Sequence, residues 1–321
     1  MKIIVTGGAG FIGSHITDAY IAAGHTVAVI DNLSKGFRRN LNPKAAFYRA
    51  DITDLAAMER IFKKERPEAV NHHAALAEVV ASVRNPEPTL TTNVIGTANV
   101  LMAFGRYGRR TGARKGTFIF ASTGGAMYGD PKRVPVNEDA PRDPLSPYGL
   151  SKLLGEDTVH YYARQFGFDY VIFRYANVFG PRQNPKGEAG IVAIFGGLMT
   201  QGLRPTIFGD GTKSRDYVYV GDVARANLAA LRKGHGATLN IGRGVLTTDR
   251  AMCDAIAKEA GYTKPPKFAP FRPGEIYRIS LDASRARRVL GWEPRVDIAE
   301  GVTQALAELP RPHTPRTKRA R

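Results

Sequence analysis

One cysteine stands in 321 residues, so no disulfide can close within the chain. That excludes a disulfide-stapled fold. Cys253 lies in the apolar-periodic stretch TDRAMCDAIAKEAGY, where a small buried core residue is expected rather than a reactive thiol. No apolar run reaches the roughly 18 residues of a membrane span. The start, MKIIV, enters a glycine-rich turn too soon for the apolar region of a signal peptide. A globular cytoplasmic protein without a membrane partner is the expectation.

Acid is also scarce: 29 Asp and Glu face 46 Lys and Arg, for a net charge of +17. The excess is local. PRPHTPRTKRAR at 310–321 and GRYGRRTGARKG at 105–116 each hold five basic residues and no acid, which leaves about +7 for the rest. Both runs are Pro- or Gly-rich and lack an aromatic stacking platform, so 310–321 reads as a disordered basic tail and no nucleic-acid partner is expected. A positive field does favour an anionic small molecule.

What the sequence has in quantity is alternation. KIIVT, FIGSHITDAYIAAG, TVAVI, AFYRA, LAAMERIFKKE, EAVNH, a long helix through TLTTNVIGTANVLMAFG, then TFIFAS and DYVIFR read as strands and helices in turn. The pattern predicts an α/β fold with a parallel sheet covered on both faces. After Arg174 long loops intervene, and YVYVGDVARANLAALRKG reads as a return to the first domain with Asp222 capping its helix. The expected layout is a nucleotide-binding domain over 1–176 plus about 215–243, with a smaller discontinuous substrate lobe over about 177–214 and 244–309. A site is expected in the cleft between them.

VTGGAGFIGSH joins the first strand to the first helix, with Gly7, Gly10 and Gly13 three apart. Glycine there permits a tight turn and lets backbone N–H groups and a helix N-terminus approach a diphosphate. Asp31, at the end of the second strand, suits an adenosine ribose and would repel a 2′-phosphate, which favours NAD over NADP. His72 and His73 are strand neighbours pointing to opposite faces, so they read as structural or cofactor-lining, and no metal site is expected.

SPYGLSK sets Tyr148 four residues before Lys152, and YGDPK sets Tyr128 four before Lys132. Coupling a phenol to an ammonium at that spacing needs a helix. Ser146 and Pro147 suit a helix start and Gly167 a helix end, whereas Pro131 breaks the second candidate. Tyr148 and Lys152 are the expected pair, with Lys132 a surface residue.

TGGAGFIG, DNLS, DITD, Asn93 in NVIGT, ASTGGAMYG and SPYGLSK resemble the extended short-chain dehydrogenase/reductase superfamily. RYANVFGPRQNPKGEAGIVAIF, TIFGDGTKSRDYVYVGDVARAN, NIGRG and FRPGE resemble its nucleotide-sugar epimerases and dehydratases, nearest the UDP-glucose 4-epimerase group. The resemblance runs from Met1 to about Leu309. It implies a Rossmann-type doubly wound sheet, tightly held NAD, a UDP-sugar substrate and a homodimer through the Tyr148 helix. It further implies that Gly7, Gly10, Phe11, Ile12 and Gly13 hold the diphosphate of NAD, Asp31 and Asn32 its adenosine ribose, and Asp51 and Ile52 its adenine. Ala74, Asn93, Ser122, Tyr175 and Val178 would line the remainder, and Lys152 would bond the nicotinamide ribose. On the substrate side it implies Asn177 at the diphosphate, Phe208 beside the uracil, and Arg215 and Arg272 at phosphates or ribose.

The family's catalytic hydroxyl position is Gly124 here, so Thr123 is the expected hydroxyl and Ser122 the alternative. The implied reaction is C4 epimerisation of a UDP-hexose such as UDP-galactose or UDP-glucose. Tyr148 acts as base, its pKa lowered by Lys152 and the cofactor. A 4,6-dehydratase would carry acids after the hydroxyl residue, where this chain has GGAM. UDP-N-acetylglucosamine and UDP-uronate 4-epimerases stay open, because Ile279 stands at the position that gates pocket size. A non-catalytic NAD sensor or a nucleic-acid-binding protein is the remote alternative.

Overall fold

A computed structural model describes residues 1–111, 114–187, 190–272 and 275–309. The expected disordered tail and part of the 105–116 basic run lie outside them.

β1 (Lys2–Thr6), α1 (Phe11–Ala22), β2 (Thr26–Asp31), β3 (Ala46–Arg49), α2 (Leu55–Glu65) and β4 (Ala69–His72) alternate as the sequence predicts. The short α3 (Val79–Arg84) and α4 (Pro86–Leu90) precede α5 (Thr97–Tyr107), β5 (Arg110–Thr111), β6 (Arg114–Thr123), α6 (Pro147–Phe166) and β7 (Phe168–Tyr175). The second half runs β8 (Asn177–Phe179), α7 (Ile191–Met199), β9 (Thr206–Phe208), β10 (Ser214–Tyr219), α8 (Val220–Ala230), β11 (Ala237–Ile241), β12 (Leu246–Thr248) and α9 (Asp249–Ala260). β13 (Lys267–Ala269), β14 (Arg278–Ile279), α10 (Ser284–Leu290) and α11 (Ile298–Ala307) close the described chain.

Seven strands pair in parallel in the order β11-β7-β6-β4-β1-β2-β3, and β5 adds an antiparallel edge to β6. Both faces of this sheet are apolar. Ile3, Val5, Val29, Ile119 and Phe173 pack on one side, and Ile4, Ile30, Val70, Phe118 and Ile172 on the other. Each such side chain contributes about 1.5–3 kcal/mol when fully buried. Strand order reverses between β1 and β4, so the crevice beyond their carboxyl ends is where this architecture places a ligand.

Three expectations need correction. The segment from Thr89 to Gly105 is not one uniform helix, because a π-helical turn over Thr91–Gly96 separates α4 from α5. Asn93 in that turn is held from outside the helix: its side chain bonds the N–H and the carbonyl of Leu76 at 2.8 and 2.9 Å. π-turns of this kind often mark functional positions.

Asp222 is not a cap either. Helix α8 starts at Val220 with Tyr219 as its N-cap residue, and Asp222 lies inside the first turn. Its carboxylate instead accepts from the N–H groups of Arg295 and Val296 at 2.9 and 3.1 Å, tying the run before α11 to α8. The preceding strand also departs from expectation. β10 belongs to a separate four-stranded sheet with β8, β12 and β14, and only the helix after it returns to pack near α1.

Candidate active site

The turn after β1 is built by sterics. Gly7 has φ of +70°, and a β-carbon on it would meet the Ala74 nitrogen at 2.6 Å. Gly10 takes the N-cap position of α1 without a side-chain cap, and the first turn carries no acid. Unpaired N–H groups and the positive end of the helix therefore stay available to an anion. Phe11 and Ile12 open that helix.

Asp31 ends β2 beside the turn, its carboxylate accepting from Ala9 N at 3.0 Å and Leu33 N at 2.8 Å. Burial pushes its carboxyl above the usual range. Asn32 donates to Asp51 at 2.7 Å, and Ile52 packs under Gly96. Asp31, Asn32, Asp51 and Ile52 thus converge at the ends of β2 and β3, on the far side of the turn from Ala74. A cradle with no room for a β-carbon, an uncapped helix N-terminus and a carboxylate at the second strand together fit a dinucleotide.

The Tyr148 helix forms as its signals predict. Ser146 accepts from Gly149 N at 3.2 Å, Pro147 follows it, and Gly167 closes the helix with φ of +71°. Gly155 lets α6 lie tightly on β6, since a β-carbon there would reach the Phe120 ring at 2.5 Å. The Thr123 hydroxyl lies close enough to the Tyr148 phenol to favour its ionised form. Lys152 is buried, donates to the Ala121 carbonyl at 2.9 Å and sits 5.1 Å from the Phe120 ring centroid. The hydroxyl of Ser122 turns the other way and donates to Glu156 at 2.6 Å. Thr123, and not Ser122, meets the tyrosine.

The electrostatics differ from the sequence expectation. Burial raises the Tyr148 phenol to about 12, and the Thr123 hydroxyl offsets only part of that. Burial lowers the Lys152 ammonium to about 8, against the pull of Glu156. The protein alone does not ionise the tyrosine: desolvation dominates, and the ammonium is directed at the Ala121 carbonyl.

His72 and His73 do point to opposite faces. His72 bonds Thr6 at 2.6 Å and Thr97 at 2.9 Å, and His73 bonds the Tyr175 hydroxyl at 3.2 Å. Burial, with Lys152 second, lowers His73 to about 3, so it stays neutral. Tyr175 also accepts from Asn227 at 2.8 Å. Among the described residues no cluster of His, Cys, Asp or Glu is placed to hold a metal.

A second group lies in the C-terminal half. Asn177 is exposed, and its side-chain oxygen is 3.2 Å from where Gly125 would carry a β-carbon, two residues from Thr123. Val178 pairs with Val218 next to it. Arg272 stacks 4.3 Å from the Phe208 ring centroid and pairs with Glu275. Arg215 bonds the carbonyls of Ile276 and, at 3.0 Å, Tyr277. Lys213 joins Glu275 as well, and despite burial the two cations hold that carboxyl below its usual range. Ile279 is buried in β14, opposite Arg215.

Tyr128, the tyrosine of the rejected pair, is buried and donates to Asn240 at 2.7 Å, and Lys132 is exposed. Sequence reasoning passed over Glu156 and Arg174. The missed signal was spacing: Tyr148, Lys152 and Glu156 recur every four residues along one helix face.

Residues 3–242 match the NAD dependent epimerase/dehydratase family. A Methanocaldococcus jannaschii protein described as a putative UDP-glucose 4-epimerase is 46% identical over 304 residues, covering 95% of this chain and 97% of its own length. The UDP-glucose 4-epimerase of Thermotoga maritima, solved with UDP-glucose, superposes with a TM-score of 0.92 at 47% identity, over 96% of this chain and 98% of that one. The Thermus thermophilus UDP-glucose 4-epimerase, in complex with NAD, gives 0.90 at 41% over 96% and 98%.

Proposed function

This chain belongs to the NAD dependent epimerase/dehydratase family, and from that membership we propose that it catalyses the reversible C4 epimerisation of a UDP-hexose, UDP-galactose or UDP-glucose. The observation that carries the reading is that α6 sets Tyr148 near the Thr123 hydroxyl at the end of β6 and buries Lys152 one turn on. NAD, when bound, supplies the site with a reversible hydride acceptor. Gly7, Gly10, Phe11, Ile12 and Gly13 would hold its diphosphate, Asp31 and Asn32 its ribose, Asp51 and Ile52 its adenine. Ala74, Asn93, Ser122, Tyr175 and Val178 would line the rest.

Tyr148 takes the proton from the C4 hydroxyl of the sugar, with Thr123 orienting that hydroxyl and the phenol oxygen. Because burial alone holds Tyr148 near 12, its ionisation waits on positive charge brought with the cofactor, to which Lys152 adds. Return of the proton from Tyr148 completes the inverted product. No acid follows Thr123 in GGAM, so nothing there assists loss of water from C5–C6. Asn177, Phe208, Arg215 and Arg272 would bind the UDP moiety, and Arg272 would exchange Glu275 for phosphate.

The test is incubation of the purified protein with UDP-galactose and chromatography for UDP-glucose, with UDP-N-acetylglucosamine and UDP-glucuronate as parallel arms. Conversion without added NAD is expected. Turnover confined to a parallel arm would reassign the sugar, and none in any arm would end the reading.

A homodimer is part of the proposal. Leu150, Leu154 and Tyr161 leave an apolar stripe exposed on α6, and Ile95 lies exposed in the π-turn. Light scattering behind size-exclusion chromatography checks it, with about twice the chain mass expected.

A further inference from the structure

Glu156 is a fully buried carboxylate one turn beyond Lys152 on α6, and the epimerase mechanism proposed above gives it no task. It accepts from Ser122 at 2.6 Å and from Arg174 at 2.9 and 2.7 Å through both its oxygens. Ser122 and Arg174 are partners across β6 and β7, and the next pair along is Thr123 and Tyr175. Arg174 also donates to Tyr128 and to the Glu138 carbonyl at 2.9 and 3.0 Å. One carboxylate therefore joins α6 to the ends of two adjacent strands, one residue short of the candidate catalytic hydroxyl.

The three side chains spaced by four address three successive residues of β6. Tyr148 meets Thr123, Lys152 meets the Ala121 carbonyl, and Glu156 meets Ser122. A slide or roll of α6 would break all three contacts together. A packed hydrophobic face tolerates small slips, whereas a bidentate ion pair fixes direction as well as distance.

We propose that Glu156 is a positioning residue for the epimerisation: gripping Ser122 and Arg174, it locks α6 on β6 in the register that sets Tyr148 against Thr123. The inference rests on the epimerase reading for its kinetic consequences, but its geometric consequence stands apart. Every group that faces Lys152 bears on its charge. Tyr148 and Glu156 face it from its own helix, and His72 and His73 from the end of β4. Arg174 stands behind Glu156 on β7, and Arg142 lies 3.7 Å from the same carboxylate. Among the described residues, β6 presents to it the Phe120 ring and the Ala121 carbonyl. His72 is buried and His73 half-buried, and the pKa values of both are lowered, which leaves Glu156 as the anion nearest the ammonium among the described residues.

The test compares the wild-type protein with Glu156→Gln in steady-state conversion of UDP-galactose from about pH 6 to 9.5, with bound NAD and melting temperature measured on the same samples. The variant should show kcat lower by about ten- to a hundredfold, with KM within about twofold and NAD content unchanged. The alkaline limb of its kcat profile should move to lower pH. An unchanged kcat and limb would overturn the proposal. So would a fall in kcat that tracks loss of NAD and of melting temperature with the limb unmoved, because that is the mark of a scaffold residue. If Glu156→Gln does not accumulate folded, Arg174→Lys, which keeps the charge and removes the bidentate grip on Glu156, carries the same comparison: lower kcat at unchanged KM and NAD content supports the proposal, and wild-type kcat refutes it. Crystal structures give a readout free of substrate. The distance between the Tyr148 and Thr123 hydroxyls should grow in the variant, and a distance kept at the wild-type value would refute the proposal even if the wild type turned over no sugar at all.

Discussion

A β-carbon on Gly13 would lie 2.3 Å from the carbonyl oxygen of Gly7. The first turn of α1 and the end of β1 are thus interlocked, and nothing larger than hydrogen fits between them. Gly13→Ala must push the helix start away from the strand, at about 1–3 kcal/mol for a crowded site. Protein carrying it should melt at lower temperature and release little or no NAD on denaturation, where the wild type releases close to one equivalent per chain.

Tyr148→Phe keeps the ring and removes the proton acceptor. Turnover should fall by about a hundred- to ten-thousandfold, the range of general acid–base catalysis, while bound NAD is retained. A loss of only a few-fold would show that another group takes the proton.

Lys152 predicts a stability signature. Its folded pKa, about 8, lies below the 10.5 of the free side chain, so between those values the unfolded chain binds more protons than the native one. Stability then rises with pH across that window, and the burial penalty is fully present below it. From pH 8 to about 10 the contribution is about 2 kcal/mol. Lys152→Met lacks the titration, so urea unfolding of the two proteins should show its stability relative to wild type declining by that amount over the same range. Above pH 10 the buried tyrosines titrate in the opposite sense, which sets the upper bound of the measurement.

Arg272 stacks on Phe208 and is paired with Glu275. Arg272→Met keeps much of the stacking surface and removes the charge. A charge-assisted hydrogen bond contributes about 1.5–3 kcal/mol, so KM for the UDP-sugar should rise by about ten- to a hundredfold with kcat changed far less. Calorimetric titration with UDP should weaken in step.

Where the fold rests on local chemistry, it was legible. Ser146, Pro147 and Gly167 bound α6 because capping and φ preferences act within a few residues, and the glycine turn follows from the same short-range sterics. Long-range partners were not. Nothing in YVYVGDV reveals that β10 leaves the large sheet for β8, β12 and β14, or that Asp222 reaches over seventy residues to Arg295 and Val296. The Tyr148–Lys152 pair was found by spacing, yet its electrostatics were misjudged, because burial is a property of the packed state and outweighs a neighbouring ammonium engaged elsewhere. Glu156 was passed over for a related reason: a glutamate on a helix reads as surface until Arg174 and Ser122 are seen to face it. The choice between Thr123 and Ser122 gained most from coordinates, since adjacent β residues diverge and the Ser122 hydroxyl turns to Glu156.

The lone thiol has a practical consequence. Cys253 is 1% exposed, and burial raises it to about 11, so maleimides and atmospheric oxygen have nothing to attack at neutral pH. A cysteine engineered at an exposed position away from α6, such as Leu203, would then be the sole conjugation point. Donor- and acceptor-labelled samples mixed together would test the proposed dimer by energy transfer, without any background from the native sequence.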